Sequence, residues 1–452
     1  MSGQSYKNGH GSQNPRNLRD SNNQQRPQSD VHIRRAAGVT VSGRALRRTG
    51  NNLPDKPESE EERARRLARE EAEWNRGVIR VKGSPDRIFL TLVLILLCLG
   101  TVMVFSASYP SALAKEGDSL YYVKKQIVYM AAGLVGMFAC SFVPYDWYRR
   151  LAIPAFCVAI VLLLLVFTPL GIERDEARRW IGVGSFTFQP SEAMKPALVL
   201  MLAWYLDRYR DQVIGRHDKR EYFIRGVIVP FAIIGIACGL VIIEKHLSGT
   251  LILGMLGVSL LFIGGAHFGY TMLVSAIAGT GAVALFVIKN PYALRRLLTF
   301  TDDNADVLSD KWQTTQGIYA IGSGGFLGKG LGGSQQKFSY VSEAQNDFIF
   351  TIWCEEMGFV GALIVIALFL AFIWRGYVIA MHAPDTFSAL VVFGLVTKVG
   401  LQAFLNIGVV TDVLPNTGIS LPFFSYGGSS LVILMLEMGV ILSVSRHSYQ
   451  RR

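Results

Sequence analysis

The strongest constraint on this chain is a series of ten mainly apolar stretches that begins at residue 87 and runs almost to the C-terminus. A transmembrane helix needs about 20 mostly apolar residues, and the stretches come close to that length. They predict an all-α polytopic membrane protein of about ten transmembrane helices, with a membrane domain over residues 87–446. The stretches lie near 87–108, 126–143, 151–168, 190–206, 225–243, 250–265, 271–288, 347–374, 385–408 and 429–445.

The composition excludes several other classes of protein. Half of the 452 residues are hydrophobic and only 17% are charged, whereas a soluble domain carries about 25% charged residues. A disordered chain, a disulfide scaffold and most soluble enzymes are therefore excluded. All five cysteines lie inside apolar stretches without a CxxC motif, so we interpret them as small buried hydrophobic residues.

The segment ahead of the first apolar stretch is polar and basic. Residues 1–57 are rich in Asn, Gln, Ser, Gly and Arg, so they predict a disordered cytoplasmic tail. Residues 58–86 predict a charged juxtamembrane helix with Glu–Arg pairs three or four residues apart. This helix is either simply solvated or forms a surface or partner contact. The basic charge suits anionic lipid, and the lack of an RNA- or DNA-binding motif argues against nucleic acid.

The distribution of positive charge predicts the orientation of the chain in the membrane. Cytoplasmic segments of membrane proteins carry an excess of Lys and Arg. The N-terminal tail, the loop 207–225 and the C-terminal tail 447–452 are all basic. An even number of spans places both termini in the cytoplasm and makes 447–452 a short cytoplasmic tail. The large loop 289–346, between helices 7 and 8, is then extracytoplasmic.

Two further loops fall on the same outer face in this topology. The loop 169–189 is polar, and the loop 409–428 contains several Pro and Gly residues. Irregular backbone at membrane depth must be shielded by protein or line a cavity, so we expect 409–428 to form a re-entrant turn.

Glycine patterns in the long loop do not predict a nucleotide site. The segment GSGGFLGKG at 322–330 lacks the spacing of a P-loop, and GKGLGG at 328–333 has no strand–helix context. Flexible backbone that approaches a ligand or partner is the better interpretation. The chain also has no HExxH motif and no Cys/His cluster.

An acidic residue marks the point where the long loop enters the eighth apolar stretch. Asp347 stands at the expected boundary between water and lipid and at the start of a helix. It is either a functional carboxylate or a helix N-cap, and position alone favours neither. Glu343, just before it, is a second acid or a loop salt bridge.

A second group of charged residues lies at the start of the fourth apolar stretch, QPSEAMK at 189–195. Glu192 would favour the helix N-terminus. Lys195 suits a phosphate head group or is a snorkelling lysine, and Arg178 and Arg179 could add to the same anion site. Further polar residues within the spans are expected to face the bundle interior, with a Lys–Glu pair as one solution; they are Glu355, Glu356, Lys398 and Glu437.

Five motifs in order carry a resemblance to a known family. The chain resembles the SEDS family of FtsW, RodA and SpoVE over about residues 87–446. The tail and the last motif are closer to FtsW or SpoVE than to RodA. The motifs are GTVMVFSAS (100–108), ARRWIGVGSFTFQPSE (177–192), QGIYAIGSGGFLGKGLGGSQQK (316–337), EAQNDFIFTIWCEEMGFVG (343–361) and NIGVVTDVLPNTGISLPFFSYGGSS (406–430).

The resemblance implies a peptidoglycan glycosyltransferase in the bacterial cytoplasmic membrane that polymerises lipid II for cell division. It also implies a class B penicillin-binding transpeptidase and other divisome proteins as partners. The family's essential aspartate corresponds to Asp347, and the lysine of its QPSExxK motif corresponds to Lys195. The family's motif between helices five and six appears here as EKHLSGT (244–250), with His246 nearest to the usual aspartate.

These residues lead to a mechanistic hypothesis. Asp347 acts as the general base on the acceptor hydroxyl, while Lys195 and Arg179 stabilise the departing diphosphate. We also expect substrate contacts from Glu192, Glu343 and Lys329. Acids and diphosphates together suit Mg²⁺ or Mn²⁺. The alternatives are a lipid II flippase, a scaffold for the transpeptidase, and a RodA- or SpoVE-type polymerase for elongation or sporulation.

Overall fold

The chain divides into two compact units, Met1–Gly77 and Val78–Arg452. Two three-residue strands, β1 (His32–Arg34) and β2 (Thr40–Ser42), pair antiparallel within the tail predicted to be disordered. The rest of that tail, most of the predicted helix 58–86 and residues 448–452 lie outside the described residues, so these domain predictions stay predictions. The computed structural model describes residues 32–34, 40–42, 83–174, 177–183, 186–214, 219–289, 311–342 and 344–447.

Long helices build the second unit, which confirms the predicted all-α polytopic fold. Each of the ten apolar stretches falls on a helix. The helices are α1 (Arg87–Glu116), α2 (Tyr121–Phe142), α3 (Tyr145–Leu165), α4 (Pro190–Arg208), the short α5 (Arg210–Val213) and α6 (Lys219–Glu221), a π-helical segment (Tyr222–Ile228) that continues into α7 (Val229–Ile243), α8 (Leu247–Ile263), α9 (Phe268–Lys289), α10 (Trp312–Ser323), α11 (Ile349–Met381), α12 (Thr386–Val410) and α13 (Gly428–Arg446).

The membrane spans differ in length and polarity. Among the described residues, seven helical segments are long and apolar enough to cross a membrane, and two shorter apolar helices correspond to α8 and α9. The remaining predicted span is α4, which is less apolar because it carries Glu192 and Lys195 near its start and Asp207 and Arg208 at its end. Glu192 and Lys195 are retained in the bundle because surrounding protein buries them, whereas Arg208 is exposed.

The loop 169–189, expected only as a polar connection, contains a small sheet. Strands β3 (Gly171–Arg174), β4 (Ala177–Val183) and β5 (Phe186–Phe188) pair antiparallel in the order β3-β4-β5. Side chains alternate between the two faces of a strand. In β4 this alternation separates the side chains of Arg178 and Arg179.

Charged residues close one end of the bundle, where the chain enters and leaves the membrane unit. The Gly83 N–H donates to the Arg446 carbonyl at 2.8 Å. Asp86 caps α1 through Phe89 N–H and pairs with Arg375 at 2.5 Å. We call this the terminal end, and the opposite end, where α11 begins, the Asp347 end. Residues 83 and 446 lie together at this end, so the chain between them crosses the bundle an even number of times.

The central helices of the bundle are α4, α12 and α13. In both α12 and α13, 67% of the residues in the most apolar 18-residue stretch are buried within the protein, whereas the corresponding share in α11 is 28%. Most described side chains of α9 are exposed. The centre therefore holds the buried Glu192, Lys195, Lys398 and Glu437, while α9 and α11 present large apolar surfaces to the membrane.

Two polar contacts between the antiparallel helices α1 and α11 bracket an uncharged layer. Asp86 pairs with Arg375 at the terminal end, and the Ser106 hydroxyl donates to Glu356 at 2.6 Å near the Asp347 end. The 18 residues between the two α11 positions, 357–374, contain no charged side chain. At 1.5 Å per residue they span about 27 Å, close to the ~30 Å of a bilayer's hydrocarbon core.

Candidate functional site

Asp347 lies at the entrance to α11 and is partly exposed. The N-cap of α11 is Phe348, whose side chain makes no capping hydrogen bond. The alternative interpretation of Asp347 as an N-cap is therefore wrong, because the carboxylate precedes the capping position.

The loop 411–427, which joins α12 to α13, fixes the backbone around Asp347. The Asn406 side-chain amide donates to the carbonyls of Asp347 at 2.8 Å and Ile419 at 2.6 Å. Ser425 Oγ donates to the Asn346 carbonyl at 2.7 Å, and the Tyr426 N–H donates to the Gln345 carbonyl at 2.9 Å. The loop 411–427 thus holds the segment that carries the acid, and its re-entrant position in the membrane stays a prediction.

The Asp347 carboxylate lies against the backbone of Gly418. Gly418 has φ 66°, and a Cβ placed there would lie 3.0 Å from Asp347 Oδ2. A side chain at this position would be strained by the left-handed backbone and would crowd the carboxylate.

The start of α8 is joined to the same loop and to α4. The Ser248 hydroxyl donates to the Thr417 carbonyl, and Ser191 Oγ lies 3.2 Å from His246 Nδ1. Burial is the main cause that lowers the pKa of His246 to about 3, so its imidazole is neutral. His246, nearest to the family's usual aspartate, therefore contributes a neutral hydrogen-bonding group beside α4.

Arg179 supports the turn that precedes α8. Its Nη2 donates to the Lys245 carbonyl at 2.6 Å, and its Nε donates to the Glu244 carbonyl at 3.4 Å. Lys245 has φ 57°, a strained value for a non-glycine residue. Arg178 instead pairs with the exposed Glu173 at 3.1 Å. The structure thus brings Arg179, and not Arg178, to this turn.

Lys195 and Glu192 form a buried ion pair at the start of α4. Lys195 Nζ lies 2.6 Å from Glu192 Oε1, and the lysine side chain is only 2% exposed. The snorkelling alternative is wrong, because the ammonium group turns to the buried glutamate and not to water. Contacts of Glu192 and Lys195 with the substrate stay predictions.

Lys398 and Glu437 form a second buried ion pair, which confirms that interpretation of the two residues. Their charged groups lie 2.7 Å apart, and both side chains are 2% exposed. A cavity of about 20 Å³ extends from Glu192 and Lys398 to Ser420 and Ser425 of the loop 411–427. This volume holds about one water molecule, so it connects polar groups but does not admit a lipid-linked sugar.

Lys329 and Glu343 are the two other residues that are predicted to contact the substrate. Lys329 pairs with Glu355 at 2.7 Å and its side chain is 30% exposed, so it belongs to a separate cluster with Glu355. Glu343 lies outside the described residues. Their contacts with the substrate stay predictions.

Sequence reasoning missed two residues of this region. Asn406 was noted only within a motif, although a lone amide in an apolar helix signals a hydrogen-bonding role. Glu244 is 1% exposed, and neither carboxylate oxygen has a hydrogen-bond partner among the described residues. Burial raises the pKa of Glu244 to about 8. The signal for Glu244 was an acid directly after an apolar stretch.

The described residues do not fit a metal site made of protein ligands. Within them, no group of three or more His, Cys, Asp or Glu side chains could hold an ion. The expectation of Mg²⁺ or Mn²⁺ stays a prediction, and no chemical step below depends on it.

The fold and this site define a class of protein: a multi-pass helical membrane protein in which the loop 411–427 packs against the segment that carries a partly exposed acid, Asp347, at the start of α11. The FtsW/RodA/SpoVE family model, described as "Cell cycle protein", matches residues 86–450. This chain belongs to that family, and it is a multi-pass bacterial membrane protein.

Curated relatives and solved structures agree with this membership. Stage V sporulation protein E of Bacillus subtilis (strain 168) is 38% identical over 369 residues, which cover 81% of this chain and 98% of that protein. A protein named probable peptidoglycan glycosyltransferase FtsW from Geobacter sp. (strain M18) is 37% identical over 367 residues, with 81% and 98% covered.

Two solved structures share the fold. One is a chain from a peptidoglycan synthase complex studied for the coordination of polymerization and crosslinking; it has a TM-score of 0.67 at 27% identity, with 81% of this chain and 99% of that chain covered. The other is the rod shape determining protein RodA of Thermus thermophilus, with a TM-score of 0.60 at 27% identity and 81% and 98% covered.

Proposed function

We propose that this chain is a peptidoglycan glycosyltransferase that polymerises lipid II at the outer face of the bacterial cytoplasmic membrane. The names of its curated relatives support the activity. The observation that carries the proposal is the position of Asp347, a partly exposed acid at the start of α11 whose backbone carbonyl accepts a hydrogen bond from Asn406. A lipid-linked donor explains why such a site lies on a membrane protein.

Asp347 is the proposed general base. It accepts the proton of the acceptor's sugar hydroxyl as the hydroxyl oxygen attacks the anomeric carbon of the donor. The bond from that carbon to the diphosphate oxygen breaks, and the diphosphate leaves with the electron pair. One direct displacement inverts the anomeric centre. General-base assistance is typically worth about 10²- to 10⁴-fold in rate.

Positive charge near the site supports the departure of the diphosphate. Arg179 lies at the turn before α8 and Lys195 lies one turn into α4. A fixed positive charge stabilises negative charge that develops in the transition state, most strongly where water is excluded. The Glu192 partner of Lys195 limits the net charge there, so we assign the larger contribution to Arg179.

The decisive experiment is Asp347→Asn in purified, folded protein that is given lipid II. We expect the rate of glycan polymerisation to fall by about 10²- to 10⁴-fold, since the amide cannot accept the proton. Asp412→Asn is the matched control, because Asp412 is an exposed acid in the same loop region, and it should polymerise normally. Parental activity of the Asp347 variant would show that the base assignment is wrong.

The structural relative from a peptidoglycan synthase complex supports a transpeptidase partner. We propose a class B penicillin-binding protein as that partner and cell division as the role, with other divisome proteins as further partners. Polymerisation by the reconstituted chain, assayed with and without the cognate transpeptidase, tests whether the partner activates the enzyme. An inactive chain under both conditions would favour a scaffold.

The two buried ion pairs favour a second candidate function, a lipid II flippase. Charged pairs within a helical bundle are a feature of transporters. In vesicles that contain labelled lipid II, a flippase moves the label across the bilayer without forming polymer. Polymer formation that Asp347→Asn abolishes supports the glycosyltransferase instead.

A further inference from the structure

The glycine-rich segment 324–333, here called the inserted loop, fills a break in α11. The Phe359 and Val360 N–H groups donate to the carbonyls of Gly325 at 2.9 Å and Phe326 at 3.2 Å. An uninterrupted helix would direct those two N–H groups to the carbonyls of residues 355 and 356. Those carbonyls instead accept from the inserted loop, from the N–H groups of residues 329 and 330 at 3.0 and 2.9 Å.

Glycine permits this exchange of hydrogen bonds because the two backbones touch. Gly358, with φ 66° and ψ −165°, breaks the helix. A Cβ at Gly328 would lie 2.2 Å from the Glu356 carbonyl oxygen, and one at Gly358 would lie 2.3 Å from the Gly328 nitrogen. The glycine pattern that resembled a nucleotide site is therefore explained by backbone packing.

Side chains hold the inserted loop in place. Glu355 and Glu356 are fully buried. Glu355 accepts from Lys329 Nζ at 2.7 Å and from Ser334 Oγ at 2.5 Å. Glu356 accepts from Lys337 Nζ at 2.9 Å. These charge-assisted bonds fix the middle of the loop and the segment directly after it to α11.

The tip of the inserted loop lies level with the outermost apolar turn of α11. The Phe326 carbonyl is bonded to the Val360 N–H, and the uncharged stretch of α11 begins at Met357. This stretch is about as long as the hydrocarbon core is thick. Since Asp86 and Arg375 mark its opposite end, the loop tip falls at the edge of the hydrocarbon layer.

Apolar side chains at this level are exposed on the outside of the protein. Phe326 is 68% exposed, Leu327 is 78% exposed and Phe359 is 54% exposed. The rings of Phe326 and Phe359 lie 5.9 Å apart. The patch continues along α11 through Leu363 and Ile364, which are 49% and 50% exposed on a predicted span. The patch is thus an extension of the lipid-facing surface of α11.

We propose that Phe326, Leu327 and Phe359 form a lipid-facing patch whose partner is the acyl chains of the surrounding bilayer. The inserted loop thereby enters the edge of the hydrocarbon layer, and it anchors the long loop that precedes Asp347 to the membrane. Its backbone can do so because α11 satisfies the N–H and carbonyl groups that water would otherwise bind. This proposal concerns membrane contact and does not depend on the glycosyltransferase activity.

A nitroxide spin label at Leu327→Cys tests the proposal in the full-length chain. The five native cysteines are first replaced by alanine, and the protein is reconstituted at low density in phosphatidylcholine vesicles. Oxygen concentrates in the bilayer and a nickel chelate stays in water, so their collision rates report the surroundings of the label. Labels at Leu363→Cys and at Ser342→Cys, an exposed residue, provide the lipid and water references.

We expect the label at residue 327 to collide with oxygen at a rate within about twofold of the label at residue 363. A collision pattern like that of residue 342 would overturn the proposal and mark the patch as water-exposed. Protection from both reagents would also overturn it, because protein would then cover the patch. In a second variant, Gly328→Val should prevent insertion and raise nickel collisions at residue 327. No change with this variant would show that insertion does not set the height of the loop.

Discussion

Gly418 limits the space beside the carboxylate of Asp347, the proposed general base. Gly418 combines a left-handed backbone with a surface that touches Asp347 Oδ2. We expect Gly418→Ala to lower the free energy of unfolding by about 1–2 kcal/mol, the cost of a left-handed alanine. We also expect it to lower the polymerisation rate, because the new Cβ displaces the carboxylate. Rates and thermal midpoints of the purified variants measure the two effects.

Gly330→Ala is the matched control for this substitution. Gly330 has φ 87° and open space around its Cβ position, so it has the same backbone strain without a contact to Asp347. Equal losses of polymerisation rate in the two variants would mean that strain alone, and not the carboxylate contact, explains the Gly418 effect.

Glu244 should make stability fall with rising pH. The unfolded carboxyl releases its proton near its ordinary pKa of 4.5, while the folded one holds it to about 8 because burial disfavours the charge. Between these values the folded state binds more protons, so the free energy of unfolding decreases as pH rises. Glu244→Gln should reduce the change of the thermal midpoint between pH 5 and pH 8.

The control for the pH prediction is Glu173→Gln, since Glu173 is an exposed acid paired with Arg178. It should leave the pH profile of the thermal midpoint unchanged. A Glu244 variant with the parental slope would show that this carboxyl is not the group that titrates.

At the scale of elements, the Lys398–Glu437 pair joins the two most buried helices, α12 and α13. Removing one partner leaves a buried charge without compensation, which typically costs about 3–5 kcal/mol. We therefore expect Lys398→Met and Glu437→Leu each to lower the thermal midpoint of the protein strongly. The double variant should recover most of that loss.

The two single variants thus serve as controls for the double variant in the same unfolding assay. A double variant as unstable as the sum of the single ones would exclude this account of the pair. Retained polymerisation in a stable double variant would also argue against a transport role for these charges.

Elements whose signal lies within one stretch of sequence were predictable. Apolar length alone placed each span of the membrane unit, and the cost of burying charge predicted that Glu355, Glu356, Lys398 and Glu437 face inward. Asp347 was chosen from its position at the boundary, but its support by Asn406 depends on a contact 59 residues away in sequence. Such a contact exists only after the loop 411–427 has folded.

Elements formed by distant segments escaped prediction for the same physical reason. The strands β3 to β5 are short, and charged residues among them obscured the alternation of side chains. The inserted loop pairs with α11 across about 30 residues of chain. Its glycines predicted backbone that approaches a ligand or partner, whereas the space beside Gly324 and Gly328 is occupied by the backbone of α11.

At the scale of the whole molecule, the predicted orientation in the membrane can be tested directly. His382 lies in the exposed turn after α11 at the terminal end, and Ser342 is exposed before Asp347. In a cysteine-free chain in spheroplasts, an impermeant thiol reagent should label Ser342→Cys at once. It should label His382→Cys only after permeabilisation, because basic segments keep that end in the cytoplasm. The reverse pattern would contradict the assigned topology.

The uncharged layer between the Asp86–Arg375 pair and the Ser106–Glu356 contact gives the protein a preferred bilayer thickness. Helix rise sets the separation of these polar groups, so the protein cannot stretch to follow a thicker membrane. In longer-chain lipids the surrounding leaflets must thin or the bundle must tilt, at a fraction of a kcal/mol for each ångström of mismatch. Acyl-chain length is therefore a physical variable that acts on the height of Asp347 relative to the proposed lipid-borne substrate.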